Sequence, residues 1–87
     1  MIGVNQVISS VRQRFKGLAV GEGLVVKTYK RDRGFSLRLL ADEMVEIKEF
    51  GFVEQVRTVE LARLAKELKV MVKREFPRSN KVWLQRL

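Results

Sequence analysis

The residues best suited to chemistry lie between Lys27 and Arg38. Five cations, Lys27, Lys30, Arg31, Arg33 and Arg38, are interleaved there with the rings of Tyr29 and Phe35, and only Asp32 opposes them. Guanidinium and ammonium groups meet phosphate oxygens and a ring face accepts any base, so the pattern suits a surface that follows a nucleic-acid backbone and stacks its bases. The same residues also suit a solvated turn closed by a Tyr29–Phe35 cross-strand pair, and the two readings carry equal weight. A second group, Arg74, Arg78 and Lys81, comes late in the chain beside Trp83, its one tryptophan. Lys30, Arg31, Arg33, Arg38, Arg74, Arg78 and Lys81 are therefore the candidate nucleic-acid contacts, and Tyr29, Phe35 and Trp83 the candidate stacking rings. Trp83 alternates with Val82 and Leu84. If those two are core, its ring is at least partly exposed and can stack a base or anchor a second subunit; in the reversed register Trp83 is core, and that placement is the one expected.

Other chemistry is poorly supplied. The chain contains neither cysteine nor histidine, which removes disulfides, thiol nucleophiles, imidazole or thiolate metal sites and the commonest general base at neutral pH. An enzyme would have to work with lysines and carboxylates alone, and no pair of carboxylates is singled out, so no enzymatic activity is expected. Asp42, Glu43, Glu46, Glu49 and Glu54 form an acidic block in an otherwise basic chain. Their spacing does not resemble a calcium loop with its pivotal glycine, and a solvated, salt-bridged face is the expectation, with no metal and no cofactor. Gly21-Glu22-Gly23 lacks the helix start and lysine of a phosphate-cradling loop and reads as a turn.

These residues need elements to position them. Over 58–76, Leu61, Leu64, Ala65, Leu68, Met71, Val72 and Phe76 recur at helical spacing opposite Arg63, Lys66, Lys69, Lys73 and Arg74, which predicts one long amphipathic helix capped by Thr58 and stopped by Pro77. Glu75 falls on the apolar side and is expected to be a solvated boundary residue of the last turn. Val4, Val7, Ile8, Val11 and Phe15 predict a first helix, with Asn5 as its cap and an end near Gly17. Between the helices, 24–30 and 35–41 read as a β-hairpin and 52–57 as a strand; 42–50 is taken as a strand, although Leu40, Met44 and Ile47 also fit a helical turn closed by Gly51, and 81–86 reads as a final strand. The expected fold is α+β, an antiparallel sheet of four to five strands with a long C-terminal helix packed on one face, in the order α-β-β-β-(β)-α-β, with residues 1–87 forming a single domain.

Eighteen Lys and Arg against ten Asp and Glu give a net charge of +8, which suits a polyanionic partner, RNA or DNA, although charge also serves solubility. No apolar run approaches a membrane span and the N-terminal residues lack the pattern of a signal peptide, so a soluble cytoplasmic protein is expected. The element order is shared by several small folds, the double-stranded RNA-binding domain among them. That family places glycine and lysines at the start of its second helix, where this chain has Arg57-Thr58-Val59-Glu60, so no family is assigned. Two functions remain: a nucleic-acid-binding module making backbone contacts of low sequence selectivity, or a protein-interaction domain that forms a homodimer through an uncovered sheet face.

Overall fold

Alternation of period two decides most of this fold. The computed structural model describes residues 1–51, 54–77 and 80–87. Among these, six antiparallel strands form one sheet: β1 (Ile2–Gly3), β2 (Gly23–Thr28), β3 (Gly34–Leu40), β4 (Met44–Phe50), β5 (Gln55–Glu60) and β6 (Lys81–Arg86). Their spatial order is β1-β6-β2-β3-β4-β5. Helix α1 (Val7–Phe15) follows β1, and helix α2 (Leu64–Glu75) joins β5 to β6.

The ladders place Leu37 between Leu24 and Ile47, and Val26 between Phe35 and Leu84. Side chains alternate across a strand, so this register gathers Leu24, Val26, Phe35, Leu37, Val45, Ile47, Val82 and Leu84 on one face. All are buried, and the apolar arcs of both helices, Val7, Val11 and Phe15 from α1 and Leu64, Leu68 and Met71 from α2, join them in a single core. Both helices therefore cover the same face of the sheet. Among the described residues no helix packs on the other face, although Val25 there is buried.

The chain is α+β, as its sequence patterns indicate, but it differs from the expected arrangement in several respects. It begins with a short strand, its sheet has six strands, and the C-terminal helix is shorter than expected. Thr58, Val59 and Glu60 belong to β5, and Leu61–Arg63 form a single 3-10 turn before α2. Pairing of Val45 with Val59 and of Glu46 with Thr58 gives these β-branched residues a strand partner that helical periodicity in the sequence does not reveal. Thr58 caps nothing. Nor does Asn5: Val4–Gln6 form a 3-10 turn, and the Gly3 amide donates instead to Gln6 Oε1 at 3.1 Å. The strand expected over 42–50 starts two residues later, because Asp42 and Glu43 take positive φ of 59° and 57° in the turn between β3 and β4. The strand expected over 52–57 is observed as Gln55–Glu60; Phe52 and Val53 lie outside the described residues.

Glu75 is not solvated. It is fully buried at the end of α2, and Gly51, after β4, passes directly over it. A Cβ at Gly51 would overlap Glu75 Oε1 and crowd Cβ and Cγ of Arg33 at 3.0 Å. Gly51 thus lets the end of α2 and the base of the β2–β3 hairpin approach the sheet together. Gly51→Ala is expected to cost about 1–3 kcal/mol of stability, the range for overpacking a filled site; a chemical-denaturation midpoint equal to that of the wild type would show that the approach is not required.

Candidate nucleic-acid interface

The uncovered face of the sheet can be read row by row from the register. One row runs Trp83, Lys27, Gly34, Phe50, because Trp83 pairs with Lys27, Lys27 with Gly34 and Gly34 with Phe50. The next runs Gln85, Val25, Ser36, Lys48, Val56, and a third places Arg38 between Gly23 and Glu46. With neighbouring strands about 4.8 Å apart, the Trp83 and Phe50 positions lie about 14 Å from each other. Gly34 is buried, and a Cβ there would overlap Val26 O, so its place in the row offers no side chain. The row offers two rings and one cation.

At the edge of this row the β2–β3 hairpin folds back over Trp83. The Arg31 amide donates to Thr28 O and the Thr28 amide to Arg33 O, each at 2.9 Å, and Arg31 takes a φ of 62°. That left-handed conformation disfavours a residue with a Cβ. It places the Arg31 guanidinium over the Trp83 ring, 4.7 Å from its centroid. The indole N–H donates to Tyr29 O at 3.1 Å, and the Tyr29 and Trp83 rings lie 6.4 Å apart with their planes 21° from parallel. Tyr29 is 69% exposed. Asp32 Oδ1 accepts from the Thr28 hydroxyl at 2.7 Å. This bond, with the nearby Arg33 and Lys30 charges, holds the Asp32 carboxyl below the ordinary aspartate range.

The structure sorts the sequence candidates into three places. Lys30 and Arg31 lie at the exposed hairpin tip, and Lys81 opens β6 two residues before Trp83. Trp83 is half-buried on the open face, opposite Val82 and Leu84, so its expected core placement is wrong. Arg38 shares that face but sits toward the far end of β3, where its guanidinium donates to Gly21 O at 2.7 Å. The remaining candidates lie elsewhere. Phe35 is fully buried against Phe76, with ring centroids 5.7 Å apart, and can neither stack a base nor pair with Tyr29. Arg33 is half-buried beside Gly51 and Glu75. Arg74 forks onto Glu49 from the helix-covered side, with Nη2 2.6 Å from both carboxylate oxygens. Arg78 lies outside the described residues.

The expected acidic face does not hold together either. Asp42 and Glu43 occupy the β3–β4 turn, Glu46 lies on the open face 4.0 Å from Lys48, and Glu49 is buried. Lys27, Lys48 and Phe50 are open-face residues missing from the sequence candidates, although strand alternation places all three opposite the core. Comparison of the chain with family models, curated proteins and solved structures returns no match.

Two expectations follow for the hairpin. Arg31→Ala keeps a Cβ in the left-handed region and loses the ring contact, whereas Arg31→Gly relieves the backbone. Urea denaturation should place Ala about 0.5–1 kcal/mol below the wild type and Gly about 1 kcal/mol above Ala; equal stabilities would mean that neither the ring contact nor the strain is real. For Asp32, a depressed folded-state pKa contributes stability above the ordinary value of about 3.9, and that contribution is lost as pH falls below it. The lower melting temperature expected of Thr28→Val at neutral pH should therefore close on the wild type in acid, and a gap independent of pH would contradict the role given to this bond.

Proposed function

We propose that this chain is a nucleic-acid-binding module whose open sheet face takes a single-stranded segment. The observation that carries the reading is the Arg31 guanidinium lying over Trp83 on the face opposite both helices. A guanidinium plane and a base stack on an indole in the same way. Arg31 can leave the ring to meet a phosphate while a base takes its place, and the exposed ring of Tyr29 stands beside it.

Lys27, Lys30 and Lys81 supply further backbone contacts around the first row, and Arg38 lies two rows away beside Glu46. Glu46 and Glu60 occupy the β4–β5 side of the same face. Like charge keeps phosphates away from that side and directs the strand along the Trp83 side. A duplex hides its base faces, which is why the ring cluster favours single strands. Contacts of this kind read backbone and stacking, so selectivity among sequences is low, and both RNA and DNA fit the chemistry.

Affinity and salt dependence separate the two roles. By fluorescence anisotropy with a short labelled single strand, Trp83→Ala is expected to lose about 1–3 kcal/mol, roughly 5- to 150-fold, with an unchanged slope of log affinity against log salt. Paired Lys27→Gln and Arg31→Gln substitutions should flatten that slope by about 1.4, two phosphate contacts at about 0.7 each. Wild-type affinity in Trp83→Ala would overturn the stacking role. If sedimentation then showed a dimer that Trp83→Ala dissociates, the face would belong to homodimeric assembly instead.

A further inference from the structure

We infer that the helix layer is a second polyanion-binding surface, separate from the sheet face, and that it takes the phosphate backbone of a nucleic-acid duplex. Arg12, Arg14 and Lys16 at the end of α1, and Arg63, Lys66, Lys69 and Lys73 on and just before α2, are all exposed. None of the seven has a carboxylate partner among the described residues. The carboxylates of α2 are engaged elsewhere, Glu67 on Arg57 and Glu75 in the interior, although Glu60 and Glu67 share a depression with Arg63. Like charges left unpaired on one side of a domain repel one another. A bound polyanion relieves that cost.

The arrangement suits a phosphate track. At about 100° per residue, Lys66, Lys69 and Lys73 fall within roughly 60° of one another and Arg63 roughly 60° beyond, and the four extend along about 15 Å of helix axis. Arg12 and Lys16 of α1 line a groove of about 260 Å³ whose floor is Phe15, Leu61, Leu64 and Ala65. The groove's lining on the α2 side is apolar, and the α2 cations lie outside it.

The same layer lacks what other polyanions require. No ring is exposed on either helix, so a single strand gains no stacking there. Val70, 51% exposed, is the one large apolar side chain that either helix exposes, and insertion into a bilayer needs an apolar face of several large residues. What remains is charge alone, and charge alone favours the partner of highest linear charge density. A duplex carries about one phosphate per 1.7 Å of axis and releases more counterions per contact than a single strand.

The inference does not rest on the sheet-face reading, and the test keeps the two apart. The full-length chain, a Lys66→Gln/Lys69→Gln/Lys73→Gln variant and Trp83→Ala are titrated with a labelled duplex, a labelled single strand and phosphatidylserine-containing vesicles over a range of salt. Far-UV circular dichroism and melting of the triple variant establish that these exposed substitutions leave it folded. The expected result is a duplex salt slope flatter by about 2.7 in the triple variant, with duplex binding by Trp83→Ala unchanged. An unchanged duplex slope in the triple variant would overturn the inference, as would vesicles bound more tightly than duplex at equal salt. If Trp83→Ala leaves single-strand binding intact while the triple variant loses duplex, the sheet-face reading fails and this one stands.

Discussion

The buried carboxylate of Glu49 is the interaction on which the arrangement depends. Its side chain is fully inaccessible, and it stands on the helix-covered face of β4 where the apolar row of Val45 and Ile47 ends. Arg74 of α2 clamps it through Nε at 3.2 Å and Nη2 at 2.6 Å, Gln55 Nε2 of β5 donates at 2.9 Å, and Arg57 Nη2 of β5 lies at 3.5 Å. Arg57 also reaches Glu67 near the start of α2. One carboxylate therefore joins β4, β5 and both ends of α2. Removing one partner of a buried pair costs about 3–5 kcal/mol, although well-packed apolar replacements can be neutral or better. The network is therefore more persuasive as a device that fixes the seating of α2 than as a source of net stability. Strand β5 needs it most, since it lies at the sheet edge and its buried-side apolar contribution is Val59 alone among the core-packed residues.

Seating α2 in this way determines what each surface can do. The helix packs beside α1 over one face, leaving the other face to Trp83, Lys27, Phe50 and their neighbours. It also consumes Arg74 and Arg57 on Glu49, so two of the chain's arginines are diverted from any ligand. The cations that remain divide into two populations of different character. Those of the open face lie among exposed rings and acidic residues, whereas those of the helix layer form no ion pair among the described residues and have no exposed ring beside them. A net charge of +8 is thus not one diffuse field but two surfaces with different chemistry.

Much of the sheet was legible because alternation is a local signal. Val82 and Leu84 against Lys81, Trp83 and Gln85 defined β6, and Phe35, Leu37 and Leu39 against Ser36 and Arg38 defined the faces of β3. The latter pattern already put Phe35 on the core side, which conflicts with its candidacy as a stacking ring. Helix α2 was legible in its body but not in its start, because Leu61 continues the helical arc while Thr58, Val59 and Glu60 are placed in a strand only by their pairing with β4. The turn at Asp42 and Glu43 carried no warning, since two successive left-handed residues ordinarily ask for asparagine or glycine. Least legible was the Glu49 network. Its partner Arg74 is 25 residues away, and nothing in local spacing distinguishes a carboxylate bound for the interior from its solvated neighbours. The ring cluster was half visible: the residue types were evident, but stacking of Tyr29 on Trp83 joins positions that only the fold brings together.

Trp83 is the chain's one tryptophan, so its fluorescence reports on the proposed stacking position without any label on the protein. Titrating the wild-type chain with an unlabelled single strand at near-physiological salt tests the account most directly. Stacking of a base on the indole predicts saturable quenching that follows the binding isotherm obtained independently from the oligonucleotide. Binding with no change in the emission of Trp83 would contradict it, because the strand would then lie somewhere other than the open face of the sheet.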